Sequence, residues 1–63
     1  MFQKGDSIIE KHTGARAGEI VFGVVMKVDT NPEILDVVFP TGRFYTFASH
    51  CQLYTDWLKD NGF

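Results

Sequence analysis

The stretch ILDVVFPTGRFYTF, residues 34–47, decides the fold of this chain. In its first half, Leu35, Val37 and Phe39 fall on one side of an extended backbone. Asp36 falls on the other side. An alternation with a period of two is typical of a β-strand that covers a core with one face only. The pattern therefore predicts a strand that ends at Phe39.

A tight turn and a second strand follow directly. Pro40 has the fixed φ that suits the second position of a type I turn, and Gly42 suits the fourth position. The segment RFYTF (43–47) is rich in aromatic residues and predicts a strand that returns beside the first. Both faces of this strand carry aromatic rings: Arg43, Tyr45 and Phe47 lie on one face, and Phe44 and Thr46 on the other.

Two further strands are predicted on the N-terminal side. SIIEK (7–11) and EIVFGVVMKV (19–28) are rich in β-branched residues and predict strands, with Gly23 marking a bulge or sharp bend. HTGARAG (12–18) has two glycines and no periodicity, which predicts a loop, and DTNPE (29–33) predicts a turn. In the long strand, alternation places Val24, Met26 and Val28 on one face, and Val25 and Lys27 on the other.

The C-terminal segment has the pattern of an amphipathic helix. Ser49 followed three residues later by Gln52 has the form of a capping box, which predicts a helix over residues 50–60. Asn61 and Gly62 supply a stop signal. A helix of this length is marginal on its own, so its apolar face needs a sheet to cover. That face consists of Cys51, Leu53, Tyr54, Trp57 and Leu58.

Composition limits the class of protein. Sixty-three residues form a single domain, 1–63, and 44% apolar and 14% aromatic residues favour a packed globule. The net charge of −2 gives no general attraction to nucleic-acid backbones. No signal core or membrane-spanning run is present in the sequence. A single cysteine, Cys51, excludes an internal disulfide and suits a reducing cytoplasm.

The run SHC, residues 49–51, places a hydroxyl, an imidazole and a thiol side by side. Neighbours on a helix point about 100° apart, so His50 is poorly placed to activate Cys51. His12, His50 and Cys51 lack the spacing of a metal site. The glycines of TGARAG (13–18) lack the Lys-Ser/Thr ending of a phosphate loop. We therefore predict no catalytic residues, no metal and no cofactor.

Recognition is the remaining candidate. Arg43, Tyr45 and Phe47 on one strand face, joined by Lys27 on a neighbouring strand, could form an aromatic and basic surface. Arg16 in the long loop is a further contact candidate. Such a surface suits stacking on bases or gripping an acidic peptide. The alternative is that Tyr45 and Phe47 fill the core and that Arg43 is a solvated turn residue.

The segments KGDSIIEK, FGVVMKV and ILDVVFPTGRFYTF together resemble the Tudor-like and KOW-like SH3-type barrels of bacterial nucleic-acid machinery, especially the C-terminal domain of bacterial repair helicases. The resemblance covers residues 4–47 and implies a mainly β (α+β) fold: a small SH3-like antiparallel barrel of four to five strands with a C-terminal amphipathic helix (49–61). Two departures are a longer first loop and that helix, which replaces or extends the usual short helical turn and final strand. The shared positions are Gly5, Asp6 and Ile8, then Gly23, Val24 and Val25, then the hairpin from Phe39 to Phe47.

The resemblance implies a module that binds protein or nucleic acid. Together with the acidic balance and the surplus of aromatic residues, it favours a small non-enzymatic regulator that binds a protein partner, such as a polymerase or helicase subunit, in transcription or replication machinery. The shortness of the chain fits a phage accessory protein. Direct nucleic-acid binding through the same surface, and a homodimer that hides the helix face or a sheet edge, remain as alternatives.

Overall fold

Five antiparallel strands and one short helix make up the fold. The computed structural model describes residues 2–11 and 20–62. The predicted mainly β fold with a C-terminal helix is confirmed. The elements are β1 (Ser7–Lys11), β2 (Ile20–Val28), β3 (Ile34–Phe39), β4 (Gly42–Phe47), a 3₁₀ turn (Ala48–His50), β5 (Cys51–Leu53) and α1 (Tyr54–Asp60).

The sheet has the order β4-β3-β2-β1-β5, with every neighbouring pair antiparallel. β4 and β5 are its two edges, and within the described ranges no ladder joins them. The prediction of a closed barrel is therefore wrong, because the sheet stays open between β4 and β5. The physical reason lies in β5, whose three residues pair with β1 and then pass straight into α1. A strand that short cannot also run along β4.

The hairpin at the centre of the sequence forms as predicted. Phe39 pairs with Gly42 across a two-residue turn of Pro40 and Thr41. Gly42 has a φ of +142°, a conformation that side chains on Cβ disfavour, so glycine suits the exit of this turn. The turn between β2 and β3 also forms, closed by the carbonyl of Asn31, which accepts from the Ile34 amide at 3.0 Å.

The bulge in β2 lies at Met26 and not at Gly23. Val25 pairs with Val37, whereas Lys27 pairs with Asp36, so Met26 is the extra residue. The bulge reverses the alternation and turns both Val25 and Val28 toward the core. The predicted face containing Val24, Met26 and Val28 is therefore wrong.

Gly23 instead allows β2 to pack closely against side chains of β3. It pairs in register with Ile8 on β1 and is buried. A Cβ atom at this position would lie 2.7 Å from Cγ1 of Val37 and 2.8 Å from the Phe39 ring, which is closer than real Cβ contacts. The missing side chain thus leaves room for two residues of β3.

The core lies on one face of the curled sheet. Its buried members come from β1, β2 and β3, and half-buried residues from both ends of the chain pack against them. This arrangement removes the apolar side of the central strands from water, which is the main source of stability in a domain of this size. The buried members are Ile8, Val25, Leu35, Val37 and Phe39.

The C-terminal segment differs from the predicted helix over residues 50–60. Ser49 lies in the 3₁₀ turn, and Cys51 and Leu53 belong to β5, from which both pack against the core. α1 begins after Leu53 and has no side-chain cap, so the prediction that Ser49 starts the helix as part of a capping box is wrong. Tyr54 meets the edge of Phe22 at a centroid distance of 5.2 Å, which fixes the start of α1 against β2.

Candidate functional site

Strand β4 places the predicted contact residues on the sheet face opposite the core, here named the outer face. Directly opposed residues of antiparallel strands share a face. Asp36 pairs with Tyr45, and Ile34 pairs with Phe47, while Leu35 and Val37 point into the core. The outer face therefore carries Ile34, Asp36 and Val38 from β3, and Arg43, Tyr45 and Phe47 from β4.

Two aromatic rings on this face are open to solvent. Tyr45 is 73% exposed and Phe47 is 55% exposed. The alternative that these rings fill the core is therefore wrong. Both rings lie on an edge strand and on the face opposite the core, where Phe47 contacts the edge of the His50 ring and still remains more than half exposed.

An ion pair holds Arg43 in place beside Tyr45. The Arg43 guanidinium donates from Nε to Oδ1 of Asp36 at 2.8 Å and from Nη2 to Oδ2 at 2.6 Å. Asp36 is only 7% exposed, and the forked geometry satisfies both of its oxygens. Arg43 therefore presents the guanidinium in a fixed orientation, with its charge balanced by the carboxylate.

Lys27 lies on the other side of the same carboxylate. It pairs with Asp36 across β2 and β3, as Tyr45 does across β3 and β4. The hydrogen bond from Arg43 lowers the pKa of Asp36 against the opposing effect of burial, and the charges of Arg43 and Lys27 lower it further. Asp36 is thus ionised at neutral pH, and two cations share one anion.

A shallow cleft of about 330 Å³ borders the C-terminal half of β4. The Phe47 ring forms one wall and meets the edge of the His50 imidazole at a centroid distance of 5.7 Å. The lining mixes aliphatic and aromatic side chains with polar ones, and it includes one charge of each sign. It consists of Ile34, Tyr45, Thr46, Phe47 and His50, with Glu10 and Lys11 from β1.

Sequence reasoning missed three residues of this surface. Ile34 and Val38 share the outer face with Asp36, and Val38 is 38% exposed. The alternation in ILDVVF could have identified both, because it places them opposite the core residues of the strand. His50 reaches the cleft through the 3₁₀ turn, which no sequence signal indicated.

The residues of the SHC run do not form a nucleophilic site. The Cys51 thiol is half-buried and donates to the carbonyl of Phe47 at 3.4 Å. Burial, followed by the negative charge of Glu10, raises the pKa of this thiol to about 11. Cys51 is therefore protonated at neutral pH, whereas nucleophilic attack needs a thiolate. The His50 ring contacts Phe47.

The described part of the chain contains neither a metal-binding cluster nor a membrane-spanning helix. Within residues 2–11 and 20–62, no three His, Cys, Asp or Glu side chains group closely enough to hold a metal ion. None of the helices described there is long and apolar enough to cross a membrane. Arg16 and His12, together with the predicted loop 12–18, lie outside the described residues.

Comparison of the chain with protein-family models, with curated proteins and with solved structures finds no match. What this surface could bind is therefore inferred from its own side chains. The structure brings four of the five predicted contact residues onto one face: Arg43, Tyr45 and Lys27 lie around the carboxylate of Asp36, and Phe47 lies two residues farther along β4.

Proposed function

We propose that this protein is a small non-enzymatic binding module that contacts a partner protein through the outer face of β3 and β4. The observation that carries the proposal is the exposure of Tyr45 and Phe47, at 73% and 55%, on one face of one strand. Transfer of a side chain the size of Phe from water into an interface contributes about 1.5–3 kcal/mol. Tyr and Arg are also the residues most often found at the energetic centre of protein interfaces.

The rigid setting of this surface supports the proposal. Tyr45 lies on a strand and not on a loop, and Arg43 is held beside it by two hydrogen bonds to Asp36. Side chains that are already ordered lose less entropy on binding. Val38, with its exposed aliphatic side chain, extends the apolar area beside Arg43.

The balance of charge favours a protein over a nucleic acid. Lys27 and Arg43 share the carboxylate of Asp36, so this face offers little net positive charge. The whole chain has a net charge of −2. Nucleic-acid binding draws much of its affinity from neutralised phosphates, which this surface supplies poorly.

Nucleic-acid binding is a second candidate because of one feature, the exposed Tyr45 ring on the same face as Lys27, which is a suitable platform for a base. A salt titration separates the two functions. Affinity for single-stranded DNA or RNA that falls steeply as salt is added would favour this candidate. Absence of binding at low salt would remove it.

The proposed setting is the transcription or replication machinery of a reducing cytoplasm. The resemblance to Tudor-like and KOW-like SH3-type domains supports this setting, because such domains occur in bacterial repair helicases and their kin dock on RNA polymerase. The turn Ala48–His50 followed by the short strand Cys51–Leu53 supports the resemblance, since those domains usually end in a helical turn and a final strand. The single unpaired Cys51 fits a reducing compartment.

Site-specific photo-crosslinking tests the proposal. A benzophenone amino acid replaces Tyr45 in one variant and Phe47 in another, and the matched control carries it at the exposed Thr55 on α1. We expect a lysate protein to crosslink at the two β4 positions and not at the control position. The double variant Tyr45→Ser, Phe47→Ser, checked for its fold by circular dichroism, should compete poorly for that protein. Equal crosslinking from Thr55, or equal competition by the double variant, would refute the proposed surface.

A further inference from the structure

The open edge of β4 has a defined set of free backbone groups. The Ala48 amide donates to the Glu33 carbonyl at 2.7 Å, which makes this a hydrogen-bonded pair of the hairpin ladder. Hydrogen-bonded pairs alternate along an antiparallel ladder. The even-numbered residues of β4 therefore bond to β3, and the amides and carbonyls of Arg43 and Tyr45 point to the open side.

The edge is free over its first half and occupied near its end. The Phe47 carbonyl accepts the Cys51 thiol at 3.4 Å, whereas the described contacts include no partner for the edge groups of Arg43 and Tyr45. Natural edge strands are usually guarded by Lys, Pro or a very short length. The sequence GRFYTF contains neither residue, and its one charge, on Arg43, is engaged by Asp36.

The same segment is complementary to itself. When two copies of β4 lie antiparallel with Phe44 opposite Phe44 of the second copy, Arg43 stands opposite the second Tyr45. The arrangement is two-fold symmetric, so each copy supplies one Arg43 and one Tyr45 to two identical cross-strand pairs. Arg over a Tyr ring and an aromatic pair across a sheet are both favourable contacts.

The exposures of these residues fit the same register. Phe44 is 52% exposed, although it belongs to the core face, where it touches Phe39 at a centroid distance of 6.4 Å. Tyr45 is more exposed still, and the Arg43 side chain is 57% exposed. Pairing with a second copy would place a neighbouring side chain beside each of the three residues and satisfy the free amides and carbonyls of Arg43 and Tyr45, while the outer face of Tyr45 stays open.

We propose that a second copy of this chain adds to the edge of β4 in this register, which joins two five-stranded sheets into one of ten strands. The amides and carbonyls of Arg43 and Tyr45 exchange four hydrogen bonds across the two-fold axis. The outer faces of the two copies become continuous, so the dimer presents the Tyr45 and Phe47 surface twice. The pairing uses backbone groups, Phe44 and the Arg43–Tyr45 cross-strand contacts along the edge of β4, and it does not rest on the proposed function.

Disulfide trapping tests the register. Residues of a pair without ladder hydrogen bonds lie about 4.5 Å apart at Cα, within reach of a disulfide. In a Cys51→Ala background, Phe44→Cys should therefore form a covalent dimer under mild oxidation. The matched control Val38→Cys, also exposed but on the inner strand β3, should stay monomeric. Equal dimer formation by both variants would overturn the register.

Sedimentation over a concentration series tests the pairing without any crosslink. A backbone N-methyl group at Tyr45, introduced by chemical synthesis, removes one edge donor from each copy and spares the ladder with β3. We expect the dimer dissociation constant to rise about tenfold or more, with an unchanged circular dichroism spectrum. A parent chain that stays monomeric up to about 1 mM, or an N-methylated chain that dimerises as tightly as the parent, would overturn the proposal.

Discussion

Gly23 is the position where a single added methyl group tests the packing of the core most directly. In Gly23→Ala the new Cβ would lie 2.7 Å from Cγ1 of Val37 and within 2.9 Å of the Phe39 ring. Val37 is fully buried, and neither contact is the far end of a flexible side chain. The neighbours must therefore shift, because interiors are packed too tightly to absorb a methyl group.

The expected loss of stability is the difference of two effects. Overpacking a well-packed core costs about 1–3 kcal/mol, while replacing glycine lowers the entropy of the unfolded chain and returns about 0.4–1 kcal/mol. With mid-range values of both effects, the net destabilisation should be about 1.3 kcal/mol. A domain of this length has a total stability of only about 3–9 kcal/mol, so the loss is large enough to measure.

Urea unfolding of a double-mutant cycle is the assay. Val37→Ala alone removes buried methyl groups and should cost about 2–3 kcal/mol. In the Gly23→Ala background the same change also vacates the space that the new Cβ needs, so it should cost about 1 kcal/mol less. If Gly23→Ala is as stable as the parent, or if the two changes add without coupling, the close approach of β2 and β3 at Gly23 is wrong.

Three further predictions concern single residues. Asp36→Asn should be less stable than the parent at pH 7, and the difference in unfolding free energy should shrink as the pH falls below 3.8. The folded carboxylate has a lowered pKa, so its stabilising contribution is lost once it is protonated. The same difference in unfolding free energy at pH 2 and pH 7 would contradict the ion pair with Arg43. The Cys51 thiol should react with Ellman's reagent roughly 100-fold more slowly in the native protein than in urea at pH 7.5. The reason is that burial raises its pKa from the ordinary 9.0 to about 11, which lowers the fraction of reactive thiolate. Similar rates in the two conditions would contradict both the burial of the thiol and its raised pKa. Ser49→Ala should change the unfolding free energy by less than about 0.5 kcal/mol, because Ser49 caps no helix, whereas a true N-cap would lose about 1 kcal/mol in a thermal melt or urea titration.

The central strands were predictable because their signal is local. The alternation of Leu35, Val37 and Phe39, and the turn chemistry of Pro40 and Gly42, act within a few residues and gave the bounds of the hairpin almost unchanged. The position of the bulge was not predictable in the same way. Met26 is the unpaired residue because β2 must pair with β1 and β3 at the same time. The residues of β2 alone do not determine either of these registers.

The C-terminal segment shows how a tertiary contact overrides a local pattern. Residues 50–60 have the apolar spacing of a helix, but Cys51 and Leu53 are equally suited to a strand, where their side chains share one face. β5 forms because residues 51–53 pair with the edge of β1, and because the side chains of Cys51 and Leu53 then pack against the core. The helix is left with the seven residues from Tyr54 to Asp60.

The sequence by itself determined the strands, the central turn, and the fact that Arg43, Tyr45 and Phe47 share one face, because strand periodicity needs no knowledge of the neighbours. It could not determine whether that face is core or surface, since aromatic residues suit either. The tertiary structure decided this by placing β4 at the edge of the sheet and turning its partner face of β3 away from the core. It also brought Asp36 under Arg43 and Lys27, an arrangement that exists only when three strands lie in register.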